Sequence, residues 1–142
     1  MIYIDTNIIL SYVDEKDPNR DEVIAFSKRL DEDKIVSQLT VVELASVYAR
    51  AELKKPVPLA IYSIKRFGSS VIEAELNRVV KESLKHIQAV RLKTLDLLHI
   101  TTAKVVGARA IATLDKDITK RADTIKNALG IEVMSIQDYC SL

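Results

Sequence analysis

Short strand-like runs at positions 1–4, 34–37, 71–72, 110–113 and 131–134 alternate with segments of helical period. Met1-Ile2-Tyr3-Ile4 has no polar alternation, the pattern of a strand covered on both faces. Helices are expected at about 7–13, 21–30, 40–53, 59–67, 76–92, 94–106 and 116–129. Lys55-Pro56-Val57-Pro58 reads as a break, and Gly68, Gly107 and Gly130 as stops. Strands joined through helices pair in parallel by right-handed crossovers, since no tight hairpin joins parallel strands. The expected fold class is therefore α/β, in three α/β/α layers around a central parallel sheet.

A chain of 142 residues suits one domain spanning 1–142, and 48 % hydrophobic with 29 % charged residues is a globular composition. Twenty-one basic residues against 20 acidic ones leave a net charge of +1, which excludes a protein that holds nucleic acid by bulk charge. The single cysteine, Cys140, excludes an intramolecular disulfide and a zinc site built on thiolates, and fits a reducing compartment. No basic leader precedes the first apolar run, and no stretch approaches the roughly 20 apolar residues that span a bilayer. The expectation is a soluble cytoplasmic protein without a membrane partner.

Parallel sheets bind ligands beyond the carboxyl ends of their strands, near the point where strand order reverses. Asp5 ends the first strand, and Asp115 follows the 110–113 strand after Leu114. Glu43 lies one turn into the helix after the second strand, and Asp96 in the first turn of the helix leading back to the 110–113 strand. All four are expected at one end of the sheet. Each also has an ordinary reading at a helix N-terminus, where negative charge is favoured. Asp5 and Asp115 would be caps, Asp96 a first-turn acid behind a Thr94 cap, and Glu43 the far half of a capping box begun by Thr40.

Their combination alters that balance. Two carboxylates about 5 Å apart repel by roughly 3 kcal/mol at an effective dielectric near 20, so four at one edge need a cation or protons. Mg²⁺ or Mn²⁺ suits such a site, being content with oxygen ligands. His99, one turn beyond Asp96, is expected as a packed helix residue, and His86 as an exposed one.

Ile2-Tyr3-Ile4-Asp5-Thr6-Asn7, an apolar strand running into Asp-Thr-Asn, resembles the opening motif of the PIN-domain family. Thr40-Val41-Val42-Glu43-Leu44 resembles its second acidic position, and Asp96-Leu97-Leu98-His99 its third. Ala112-Thr113-Leu114-Asp115-Lys116-Asp117 is similar to the fourth, although Ile118 stands where many members carry an aromatic residue. Residues 55–73 match nothing diagnostic. The resemblance implies one nuclease domain with a divalent metal that hydrolyses phosphodiesters, most often of RNA. Its size looks most like a VapC-type toxin held inactive by a small antitoxin.

On that reading Asp5, Glu43, Asp96 and Asp115 are catalytic, with Asp5, Asp96 and Asp115 on the metal and Glu43 on the metal or its water. Thr6, Asn7, Thr113 and Asp117 would support them. Lys116, Lys120 and Arg121 are candidates for the RNA backbone, followed by Arg50, Lys54 and Lys55. Alternatives are a degenerate PIN domain that only binds RNA or protein, and an Asp-based phosphotransfer domain centred on Asp5. The latter lacks a second Asp at position 7, where Asn7 stands. The 40–53 helix is apolar around most of its circumference, which points to a homodimer or an antitoxin groove.

Overall fold

The structure, a computed structural model, describes the backbone of residues 1–141 and the side chains as far as residue 138. Cys140, with the expectation attached to its thiol, lies outside the described side chains. In chain order the elements are β1 (Ile2–Ile4), α1 (Thr6–Val13), α2 (Arg20–Arg29), β2 (Lys34–Ser37), α3 (Gln38–Arg50), α4 (Pro56–Phe67) and β3 (Ser69–Ile72). There follow α5 (Leu76–Val90), α6 (Thr94–Val105), β4 (Ala110–Thr113), α7 (Lys116–Thr119), α8 (Ala122–Leu129), β5 (Glu132–Ser135) and α9 (Ile136–Ser141). The strands form one sheet in the order β3-β2-β1-β4-β5, with every neighbouring pair parallel.

The expected three layers follow from the two-residue period of the strands. Ile2, Ile4, Val36, Ala110 and Ala112 face one way, into a core with Ile8 and Ile9 of α1, Phe26 of α2, Leu44 of α3, Ile64 and Phe67 of α4, and Ile136. Tyr3, Ile35 and Ile111 face the other way, against Val90 of α5, Ile100 of α6, Ile118 of α7 and Ile125 and Leu129 of α8. Burying each such large apolar side chain contributes about 1.5–3 kcal/mol. Strand order reverses at β1, whose Tyr3 pairs with Ile35 on one side and Ile111 on the other. The switch point is thus the seam between β1 and β4.

Five local expectations change. Helix α3 begins at Gln38, with Ser37 as its cap and Thr40 closing the box, so Glu43 is not the capping partner of Thr40. Helix α4 begins at Pro56 rather than after the prolines, because a first-turn proline gives up only an amide that has no helical partner. The 116–129 segment divides at Lys120 and Arg121: Arg121 leaves helical geometry (φ −103°, ψ 18°), and its guanidinium donates to the Asp117 carbonyl at 2.8 Å. Thr94 is not a cap, since α6 is preceded by Lys93, whose side chain makes no capping bond. His86 is part-buried against Glu82 rather than exposed.

Candidate active site at the carboxyl edge of the sheet

Asp5 leaves the end of β1 in extended conformation and caps α1, its Oδ1 accepting from the Thr6 amide at 2.8 Å. Its Oδ2 accepts from the Thr113 hydroxyl at 2.7 Å and from Asn7 Nδ2 at 3.2 Å. Thr113, the last residue of β4, also takes the Asp115 amide on its Oγ1 at 3.0 Å, while Asn7 Oδ1 accepts from the Leu114 amide at 3.2 Å. Asp115 in turn caps α7 by accepting from the Asp117 amide at 2.8 Å. Asp5 and Asp115 are therefore both helix caps and neighbours at the same edge of the sheet. Thr113 and Asn7 are the braces that tie the ends of β1 and β4.

Glu43 reaches the same edge from α3. Its Oε2 accepts from the Thr6 hydroxyl at 2.9 Å and from His99 Nε2 at 2.7 Å. Burial pushes this carboxyl up, but the His99 hydrogen bond and charge, with the Thr6 hydroxyl, outweigh it and hold Glu43 below the usual range. Asp5 is displaced upward instead: burial and the Glu43 charge outweigh the opposing effects of His99 and Thr113.

Asp96 has the most revealing environment. Its carboxyl is raised to about 6 by burial first, then by the charges of Asp5, Asp115 and Glu43, against the opposing pull of His99. It makes no hydrogen bond or ion pair with any other described residue. Asp5, Glu43 and Asp115 thus all lie within electrostatic reach of Asp96. Asp117 is exposed beside them, lining with Asp96, Arg91, Leu92, Lys93 and Arg121 a cleft of about 150 Å³. Arg121 is thereby placed at the site, whereas Lys116 and Lys120 are exposed on and just after α7. Arg50 lines a different groove with Glu43, Val42 and Leu95, and Lys54 and Lys55 are exposed in the turn after α3.

Two residues that the sequence reading did not place at the site are joined to it by hydrogen bonds. His99 is fully enclosed, and its Nδ1 stands 2.7 Å from the Tyr3 hydroxyl while Nε2 meets Glu43. Tyr3 also lies 2.8 Å from Ser37 Oγ, and burial pushes its phenol up to about 12, so the hydroxyl keeps its proton. The available signals were a lone polar tip in an otherwise aliphatic strand and a histidine one helical turn from Asp96.

All the ligand candidates are carboxylate oxygens with no cysteine among them, which fits a hard divalent cation. Among the described residues no three His, Cys, Asp or Glu side chains stand close enough to share one ion. The arrangement is an open acidic cleft in which burial first, and then the neighbouring acids, raise Asp96. No Lys or Arg forms an ion pair with Asp5, Asp96 or Asp115 among the described residues. No described helix is long and apolar enough to cross a membrane.

The sequence model of the PIN domain matches residues 2–124. Among solved structures, FitAcB from Neisseria gonorrhoeae superposes with a TM-score of 0.69 at 20 % identity, over 96 % of this chain and 99 % of that one. VapC20 from Mycobacterium tuberculosis, described as a sarcin-ricin loop cleaving toxin, gives 0.68 at 11 % identity over 84 % and 94 %. A toxin–antitoxin complex from Klebsiella pneumoniae gives 0.61 at 18 % identity over 82 % and 89 %. At these identities the likeness is one of fold. No curated protein sequence matches the chain.

Proposed function

This chain belongs to the PIN-domain family, and on that premise we propose that it is a divalent-metal-dependent endoribonuclease that hydrolyses single-stranded RNA. The observation that carries the reading is Asp96, part-buried, without a hydrogen-bond partner among the described residues, and raised to about 6 beside three further acids. Among the described residues no Lys or Arg pairs with Asp5, Asp96 or Asp115, so a bound metal ion is the natural counter-charge.

Asp5, Asp96 and Asp115 would hold Mg²⁺ or Mn²⁺. When bound, the metal lowers the pKa of a coordinated water and offsets charge growing on phosphate oxygens. The protein's own part is positional. Thr113 and Asn7 hold Asp5 Oδ2, while Thr6 and His99 hold Glu43 Oε2, so each carboxylate keeps its orientation as substrate enters. Glu43, kept ionised below the usual range, can accept a proton from an attacking water. The Arg121 side of the cleft would receive the RNA backbone. A phosphotransfer role for Asp5 is disfavoured, because Asn7 stands where such an enzyme would carry a second Asp.

The proposal extends to a cytoplasmic toxin, restrained by a small antitoxin, as the Klebsiella neighbour's description supports. It also includes a homodimer through α3. Leu44 and Tyr48 of that helix are spent on the core, which leaves Val42, 67 % exposed, with Leu39, Val47 and Leu95 along a groove of about 390 Å³. Light scattering giving a monomer at high concentration would remove the dimer. The central test is incubation of unstructured RNA with Mn²⁺, Mg²⁺ or a chelator. Cleavage that requires the metal supports the reading, and intact RNA bound without a cut would make the chain a degenerate binding module.

A further inference from the structure

Glu43, His99 and Tyr3 form a continuous buried line from three different elements. Helix α3 supplies the carboxylate, α6 the imidazole and β1 the phenol, with 2.7 Å from Glu43 Oε2 to His99 Nε2 and 2.7 Å from His99 Nδ1 to the Tyr3 hydroxyl. An ionised carboxylate has only lone pairs to offer, so His99 Nε2–H donates to it. Ser37 Oγ at 2.8 Å anchors the phenol at the far end, and Ser37 is itself locked as the cap of α3. Thus the residue that starts α3 also braces, through Tyr3 and His99, a carboxylate one and a half turns along the same helix. Thr6 adds a second donor to the same Oε2, and Glu43 Oε1 has no hydrogen-bond partner among the described residues.

That asymmetry has a chemical meaning. A glutamate at the mouth of a cleft has three side-chain torsions, and nothing in α3 itself selects one rotamer. Two donors on one oxygen select it, and leave the other oxygen for a proton or a water. A packed histidine with no role in the site would need only one partner for each nitrogen; here one of those partners is an acid of the cluster. The Tyr3 ring also lies 5.7 Å from the imidazole, which limits rotation of His99 about its own bonds.

We propose that His99 is a positioning residue of the site, clamped by Tyr3 at Nδ1 and fixing Glu43 through Nε2 so that Glu43 Oε1 serves the reaction. This rests on the nuclease reading for its consequence but not for its geometry. The decisive experiment is a double-mutant cycle of His99→Leu and Glu43→Gln on the full chain, with single-turnover RNA cleavage in saturating Mn²⁺. His99→Leu alone should slow cleavage by roughly 10–100-fold, the range typical of a group that orients a ligand or base. It should leave the KM for RNA and the Mn²⁺-induced rise in melting temperature close to the parent's. In the Glu43→Gln background the same change should cost almost nothing, because its only route to the chemistry has gone. His99→Gln, which keeps an N–H donor, should recover most of the rate, and Tyr3→Phe should fall between.

Equal losses from His99→Leu in both backgrounds, an unchanged rate, or a His99→Gln variant as slow as His99→Leu would each overturn the proposal. A further readout needs neither metal nor RNA: the Glu43 side-chain carboxyl ¹³C resonance should move in His99→Leu and return toward the parent in His99→Gln. A resonance that moves so in a parent that cuts no RNA overturns the nuclease reading and sustains the clamp. A parent that cuts, with a Glu43 resonance unmoved by His99→Leu, overturns the clamp alone.

Discussion

Thr113 and Asp5, 108 positions apart in sequence, meet through a 2.7 Å hydrogen bond at the carboxyl edge of the sheet. The bond exists because β1 and β4 are parallel neighbours, with Ile4 opposite Ala112, so both strands end at the same height. Thr113 Oγ1 then accepts the Asp115 amide, and a single hydroxyl links two of the four acids.

Thr113→Val is nearly isosteric and removes that hydroxyl. It strands the Asp115 amide and takes a donor from a buried carboxylate, so a loss of about 1–3 kcal/mol is expected in chemical denaturation. Metal-dependent cleavage should fall with it, by roughly 10–100-fold. A variant with the parent's midpoint and rate would show that the link is incidental.

Asp96 makes a prediction about pH. Its folded-state pKa is about 6 against an ordinary value of 3.8, so between those values the unfolded chain has released the proton that the folded chain retains. The folded state then binds more protons, and stability falls as pH rises through that window. In a chelator, Asp96→Asn should be more stable than the parent at pH 8, by about 1–2 kcal/mol after discounting for partial exposure, and by about a third of that at pH 4.5. Thermal melts of both proteins across that range decide it, and parallel curves would refute the raised pKa.

Asp5→Asn separates charge from capping. Asparagine still accepts the Thr6 amide, but it presents an NH₂ group where Oδ2 now accepts from Thr113 and Asn7. Relief of repulsion and lost hydrogen bonds oppose one another, so the metal-free variant should melt within about 1 kcal/mol of the parent. The Mn²⁺-induced rise in melting temperature should shrink, and cleavage should drop by orders of magnitude. Retention of both would reduce Asp5 to a helix cap.

Arg121 tests the path of the substrate. Arg121→Ala should raise the KM for RNA with little change in single-turnover rate, and should lower the slope of log affinity against log salt by about 0.7, one phosphate contact on a single strand. An unchanged slope would place the backbone elsewhere on the surface.

Thr102 supplies a contrast. Its hydroxyl is fully buried on α6 with no partner among the described residues. Thr102→Val should therefore leave cleavage untouched and either preserve stability or raise it by up to about 1 kcal/mol. A clear destabilisation would reveal a partner for that hydroxyl.

Much of this architecture is local and so was legible in the chain. Short continuous apolar runs beside segments of period 3.6 specified the layers, and the acids stood at strand ends and helix first turns because capping chemistry is written in neighbouring residues. Asp5 and Asp115 could be placed for that reason. Local rules were also where reading erred: Thr40 looked like the cap of α3, yet Ser37 takes that place, and the shift frees Glu43 from the backbone to meet His99. What no local rule holds is which strands become neighbours. The sheet order put β4 against β1, brought Thr113 to Asp5, and let α6 lay His99 between Tyr3 and Glu43. Those meetings depend on side chains tens of residues apart being buried against one another, and sequence periodicity carries no record of distance in space.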